Sequence, residues 1–196
     1  MQKFREKVRH HYQTYYKDGD EAHLIDHADD VCNLALHINK KYDEKLIILA
    51  SYMHDMFNAT SRPKHDELAY AYVLKAEDEF LQELSEEELQ EVAHAVLEHR
   101  ASFKGEFYSP LSAIISSADR GLPDLEFIVI RSMKFNNGNA EDVYAHVSSK
   151  YGSKGYANYP KVYQEIFRDE LESFKKEADS LSIERVLEIW EENRCN

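Results

Sequence analysis

Four side chains from three separate segments could converge on one metal ion. His54 and Asp55 stand together in LASYMHDMF, where a helix that is apolar from Leu49 onward turns polar. Neighbours on a helix point about 100° apart, so both reach one ion only if it lies between their directions. A divalent cation makes a buried imidazole and a buried carboxylate favourable together, because it replaces the hydration that both lose. Taken alone, the dipeptide fits better a core histidine beside an aspartate that caps the helix. Its partners shift the balance. His27 lies on the preceding helix, on a face shared with Val31 and Leu34, and Asp119 ends AIISSADR, whose small residues permit close packing around a site. Two nitrogens and two carboxylates suit Zn, Mn, Fe, Ni or Co better than Ca, and leave positions open for water and substrate. His10, His11, His37 and His146 lie among polar or charged neighbours and need no special role.

The elements that must carry these groups read as helices. In DEAHLIDHADDVCNLALHINKK, Leu24, Ala28, Val31, Ala35 and Ile38 recur at steps of three and four, which makes one apolar stripe. DEKLIILASYMHDMF opens with Asp43 as N-cap and carries the stripe Leu46, Ala50, Met53, Phe57. HDELAYAYVLKAEDEFLQEL continues in helical register, and SEEELQEVAHAVLEHR opens with a capping box of Ser85 and Glu88. Pro110 and Pro123 each take a first helical position. The C-terminal third reads as three helices interrupted by YGSKGYANYP. With only 6 Gly and 4 Pro, little of the chain can be turns. The expected fold is all-α: a single-domain helical bundle with its core in residues 1–135 and a helical extension, 136–196, packed on that core.

Composition sets the outer bounds. A chain of 196 residues suits one domain, and 43% hydrophobic residues supply a sizeable core. The net charge of -13 argues against duplex nucleic acid, which is gripped through clustered Lys and Arg, and against an anionic membrane surface. No window approaches 18 apolar residues, so no membrane span is expected, and the charged N-terminus lacks an apolar signal core. Cys32 and Cys195 fit neither a zinc knuckle nor a disulfide framework, so a cytoplasmic location is expected.

The order of a His, then His-Asp, then a distant Asp resembles the HD-domain superfamily of metal-dependent phosphohydrolases, over roughly residues 20–132. HLIDHADDVCNLAL is similar to that family's opening helix and LASYMHDM to its second. KHDELAYAYV is similar to the stretch after the HD pair, and EVAHAVLEHRASF to the helix that ends in a histidine. SSADRG resembles the closing segment, with Ser117 where an Asp is common. The likeness is greatest to small YedJ-type HD hydrolases, whose opening helix often carries a histidine four residues before the ligand, matched here by His23. The resemblance implies His27, His54, Asp55 and Asp119 as ligands of a first metal, and His65 and His99 as ligands of a second. It implies cleavage of a phosphoester or phosphoanhydride bond in a small phosphorylated substrate such as a nucleotide. Asp66-Glu67 inverts the acidic pair of guanosine tetraphosphate hydrolases. HRASFKG lacks the second His and the Tyr-Pro of cyclic-di-GMP phosphodiesterases.

Such a reaction needs an activated water, a clamp on phosphate oxygens and help for the leaving group. A bound divalent ion performs the first two. Asp55 would bridge two ions, or hold one and orient the water. His23 or Asp26 would act as general acid or base; the sequence leaves the choice open. Arg100, Lys104, Arg120 and Lys154 are the candidate cations for the substrate, with Arg100 and Lys104 ranked first because they lie near His99. Two other readings stand beside this one: a di-iron oxygenase on the same ligand order, and a non-catalytic metal-binding regulatory module. Homo-oligomerisation is left open.

Overall fold

The computed structural model describes residues 1–18, 24–39 and 41–193. The chain forms two compact units, Met1–Gly121 with Tyr159–Tyr163, and Leu122–Asn158 with Gln164–Asn196. Among the described residues the regular structure is helical throughout, with no strand. None of these helices is long and apolar enough to cross a membrane.

In the first unit, α1 (Gln2–Tyr12) runs into a 3-10 turn, Gln13–Tyr16. Then follow α2 (Ile25–Ile38), α3 (Glu44–Met53), the short α4 (Asn58–Ser61) and a second 3-10 turn, Arg62–Lys64. Three further helices complete it: α5 (His65–Lys75), α6 (Glu86–Glu98) and α7 (Pro110–Asp119). The centre is α3, which packs against α1, α2, α6 and α7. Every residue from Leu46 to Met53 is buried, the pattern of a helix that is apolar on all sides because it is enclosed on all sides. Small side chains let α7 approach closely: Ser112, Ser116 and Ser117 are fully buried.

The caps explain where these helices begin. The Asp43 carboxylate accepts the Lys45 N–H, and the Ser85–Glu88 capping box is closed in both directions. Ser109 caps α7 with Pro110 at its first turn. Gly121 stops it two residues after Asp119. Its φ of +70° is left-handed, and its N–H bonds to the Ala118 carbonyl.

In the second unit, α8 (Leu125–Phe135), α9 (Ala140–Tyr151), α11 (Arg168–Ser180) and α12 (Ile183–Asn193) pack together. Ile128, Val129, Met133, Val143, Val147, Leu171, Phe174 and Ile189 form the core. The short α10 (Lys161–Ile166) precedes α11. Helix α8 falls in residues 1–135 but groups with this second unit, because its buried face packs on α9 and α12.

Four sequence expectations need correction. Pro123 lies just before α8 rather than in it, because the Asp124 carboxylate takes the Phe127 N–H and so fixes the cap one residue later. Helical register does not continue through Leu84: α5 stops at Ala76, which is left-handed (φ 49°), and Asp78 then accepts the N–H groups of Phe80 and Leu81. A short acidic side chain thus offers the backbone a turn in place of a helix. Phe57 is not on α3, which ends at Met53; it leads α4. The C-terminal third holds four helices, because a break at Phe167 separates α10 from α11.

Removing the Ser85 cap orphans the Glu88 N–H at the head of the helix that leads to His99. Ser85→Ala should cost about 1 kcal/mol. It should lower the urea midpoint without changing the slope of the transition; an unchanged midpoint would show the box to be idle.

Candidate metal centre

Helix ends of the first unit meet at Asp55. His27 is in the first turn of α2, His54 follows the last residue of α3, His65 opens α5, His99 follows the last residue of α6, and Asp119 ends α7. Asp55 divides its two oxygens between them. Its Oδ2 lies 3.4 Å from His54 Nε2 and 3.8 Å from His27 Nε2, and its Oδ1 lies 3.1 Å from His65 Nε2 and 3.6 Å from His99 Nε2. Asp119 Oδ1 closes the first group, 3.1 Å from His27 Nε2 and 3.6 Å from His54 Nε2. The two imidazoles of the second group stand 3.1 Å apart at Nε2. Two donor groups result, His27, His54, Asp55, Asp119 and Asp55, His65, His99, and each is compact enough to hold a metal ion.

Three of the imidazoles are aimed by the same device. His54 Nδ1 is 2.8 Å from the Ser51 carbonyl, His65 Nδ1 is 2.7 Å from that of Arg62, and His99 Nδ1 is 2.7 Å from that of Val96. In each case the acceptor is three residues earlier. An Nδ1–H donated to a carbonyl fixes the tautomer and leaves Nε2 as the basic atom, the arrangement that metal-ligating histidines use. Sequence reasoning missed these locks because a backbone carbonyl has no residue signature.

The donor set passes a test of fit on one atom in particular. His54 Nε2 is completely buried and has no hydrogen-bond partner, although Asp55 and Asp119 are near. A buried polar atom left so is costly, and a cation between it and the carboxylates would satisfy all three.

The remaining sequence candidates are placed as follows. Asp26 is 85% exposed at its side chain and pairs with Arg9, 3.3 Å away. His23 lies outside the described residues, as does Cys195. Arg100 is half-buried; its guanidinium donates to the Pro63 carbonyl at 3.1 Å and stands 3.4 Å from Asp66. Arg120 is buried and donates to the backbone carbonyls of Ser116, His99 and Arg100. It therefore ties the end of α7 to the end of α6, beside two of the metal-site side chains. Lys104 is exposed in the loop after His99, and Lys154 is exposed in the second unit. Ser117, where an Asp was the resemblance's expectation, is turned back on its own helix, donating to the Ala113 carbonyl. Cys32 is buried, and burial pushes its thiol up to about 11, so it is an inert core residue.

A family model described as HD domain matches residues 20–125, more than half of the chain. The protein belongs to the HD-domain family. HD domains are generally found in hydrolases, are typical of metal-dependent phosphohydrolases, and bind divalent metals. A search of curated proteins found no match, and neither did one of solved structures. The HD-domain match begins after α1 and the Gln13–Tyr16 turn, and it ends at the start of α8.

Charge in this HD domain is strongly coupled. Burial works against a charge on His54, but Asp55 and Asp119 outweigh it and push the imidazole up to about 10. Burial likewise works against both carboxylates, and is outweighed by His54, His65 and His99 around Asp55 and by His27 and His54 around Asp119; both are held well below the usual range. A raised imidazole favours the folded state fully below its ordinary value of 6.5 and loses that contribution as pH rises through about 10. The proton on His54 also competes with a metal. Binding of Mn2+ to metal-free protein should therefore release a proton at neutral pH, and the affinity should rise with pH up to about 10. Calorimetry in buffers of different ionisation enthalpy reads this directly; a heat independent of buffer would contradict it.

Proposed function

We propose that this protein is a metal-dependent phosphohydrolase that cleaves a phosphoester or phosphoanhydride bond of a small phosphorylated substrate, a nucleotide being the leading class, in the manner of the YedJ-type HD hydrolases. The observation that carries the reading is the division of Asp55, one oxygen facing His27 and His54 and the other facing His65 and His99. On this reading His27, His54, Asp55 and Asp119 hold one ion, and Asp55, His65 and His99 hold a second. Ligands of this type suit Mn, Fe, Co, Ni or Zn. When bound there, such ions supply an activated water and Lewis-acid polarisation of a phosphoryl oxygen.

The chain's own residues do the rest. Asp55, ionised and bridging, fixes the separation of the two donor groups. The three Nδ1 locks keep Nε2 of His54, His65 and His99 aimed inward without cost at the moment of reaction. Asp119 is the most accessible member, 21% exposed at its side chain against 0% for His54 and 5% for Asp55, so substrate approaches along α7 and the head of α2. Arg100 is the foremost cation for the phosphate, because it is only half-buried and anchored beside His65 and His99. Arg120 is a positioning residue in this scheme, since a phosphate would have to displace three backbone acceptors to reach it. Lys104 remains a candidate substrate cation. Proton transfer to the leaving group is assigned to His23 or Asp26.

The complete second donor group also satisfies the requirement of a di-iron oxygenase. Iron content and oxygen consumption separate the two: a protein that holds Mn or Zn and cleaves phosphoesters without oxygen excludes the oxygenase. The test of the main reading is metal analysis of the purified protein, then a screen of nucleotides and phosphoesters with wild type and Asp55→Ala. Asp55→Ala should lose at least about a hundredfold in metal affinity and in hydrolysis together. Equal activity in the two proteins would overturn the assignment.

A further inference from the structure

Tyr16 closes the 3-10 turn that follows α1, and it lies outside the residues that match the HD family. Its side chain is buried, and its phenol donates to the backbone carbonyl of Tyr52, 2.9 Å away. That carbonyl needs a donor. In a continuing α-helix it would accept the N–H of Met56, four residues on. The Met56 N–H instead turns to the Met53 carbonyl, at 3.4 Å. The helical ladder therefore breaks at the stretch that carries His54 and Asp55, and a side chain from outside the helix makes good the loss.

Tyr52 is gripped at its other end too. Its phenol donates to Asp29 Oδ1 at 2.6 Å and accepts from Arg5 Nε at 3.0 Å, while Arg9 Nε holds both oxygens of Asp29, at 2.8 and 3.0 Å. Asp29 lies two residues after His27 on α2, and Tyr52 lies two residues before His54 on α3. The N-terminal segment therefore spans α2 and α3, two of the three helices that bring the first donor group together.

We infer that Tyr16 is a positioning residue for the metal centre: by holding the Tyr52 carbonyl it sets how the end of α3 presents His54 and Asp55. The inference rests on the metal-binding reading above. A hydroxyl that merely added stability would act on folding alone, so metal affinity and stability must be measured separately. Tyr12 supplies the comparison, since its buried phenol sits on the same N-terminal segment but donates to Asp78, away from the cluster.

Metal-free wild type, Tyr16→Phe and Tyr12→Phe are titrated with Mn2+ by calorimetry and unfolded in urea. Tyr16→Phe should weaken Mn2+ binding about tenfold, and Tyr12→Phe should keep wild-type affinity whatever stability it loses. Wild-type affinity in Tyr16→Phe, or equal weakening in both variants, overturns the inference and leaves the functional reading standing. A wild type that takes up no Mn2+, Zn2+ or Fe2+ overturns both. Should Tyr16→Phe not fold in plain buffer, the three proteins are titrated in sucrose, which stabilises the folded state; the same contrast with Tyr12→Phe is expected there, and its absence overturns the inference.

Discussion

A carboxylate that is almost completely buried has to be compensated from every direction it can be approached. Asp55 is 5% exposed at its side chain and has four imidazole nitrogens within 3.8 Å. Taking such a charge out of water costs several kcal/mol unless partners replace the lost hydration. This requirement organises the first unit. The compensating groups come from α2, α3, α5 and α6, and α7 adds Asp119 beside them, so these helices must end at one place. A single-helix site could not do this, since neighbours three and four residues apart cover only one face.

Helix termini are suited to the task. At a C-terminal end the last carbonyls have no helical donor, and there His54 and His99 fold back to bond the carbonyl three residues earlier. His65 does the same against the 3-10 turn before α5. One backbone feature thus satisfies an orphan acceptor and orients a ligand at once. It also explains the unusual composition of α3. A helix that delivers His-Asp into the middle of a bundle must itself pass through the middle, so all of Leu46–Met53 is enclosed and no polar face is left for solvent. The loss of ladder bonds at its end is the corresponding weakness, which the Tyr16 phenol offsets.

Much of this was legible in the sequence, and what was not has identifiable causes. The stripe of α2 and the caps at Asp43, Ser85 and Pro110 are local signals, and they hold because nothing tertiary opposes them. His27, His54, Asp55 and Asp119 stood out by residue type in apolar or small-residue surroundings. His65 and His99 did not: their own neighbours read as polar helix ends, and only the family resemblance singled them out. The cations show the limit most clearly. Arg120 directly follows Asp119 and looks like a phosphate clamp, yet it serves backbone carbonyls of α6 and α7. Sequence records an arginine's charge but not the acceptors around it. The breaks at Ala76 and Phe167 were hidden for a related reason, because a side-chain-to-backbone bond such as that of Asp78 is decided only once the chain has turned.

Charge explains why metal loading and substrate binding must be coupled in the proposed activity. The chain carries a net charge of -13, and a phosphorylated substrate approaching it is repelled at long range. At physiological ionic strength that repulsion is screened beyond about 8 Å, so the field inside the pocket decides. Without metal, the surrounding histidines offset the two carboxylates and hold their pKa values low. With two divalent ions as proposed, four neutral imidazoles and two carboxylates, the centre would carry a formal charge of about +2 by simple addition, and the local field would be inverted. Only a ligand small enough to place its phosphate within the cluster gains from this field, while the rest of a polymeric anion would lie against acidic surface. On the proposed function, the acidity of the chain and the buried donor set both favour a small phosphoester over a polymeric anion.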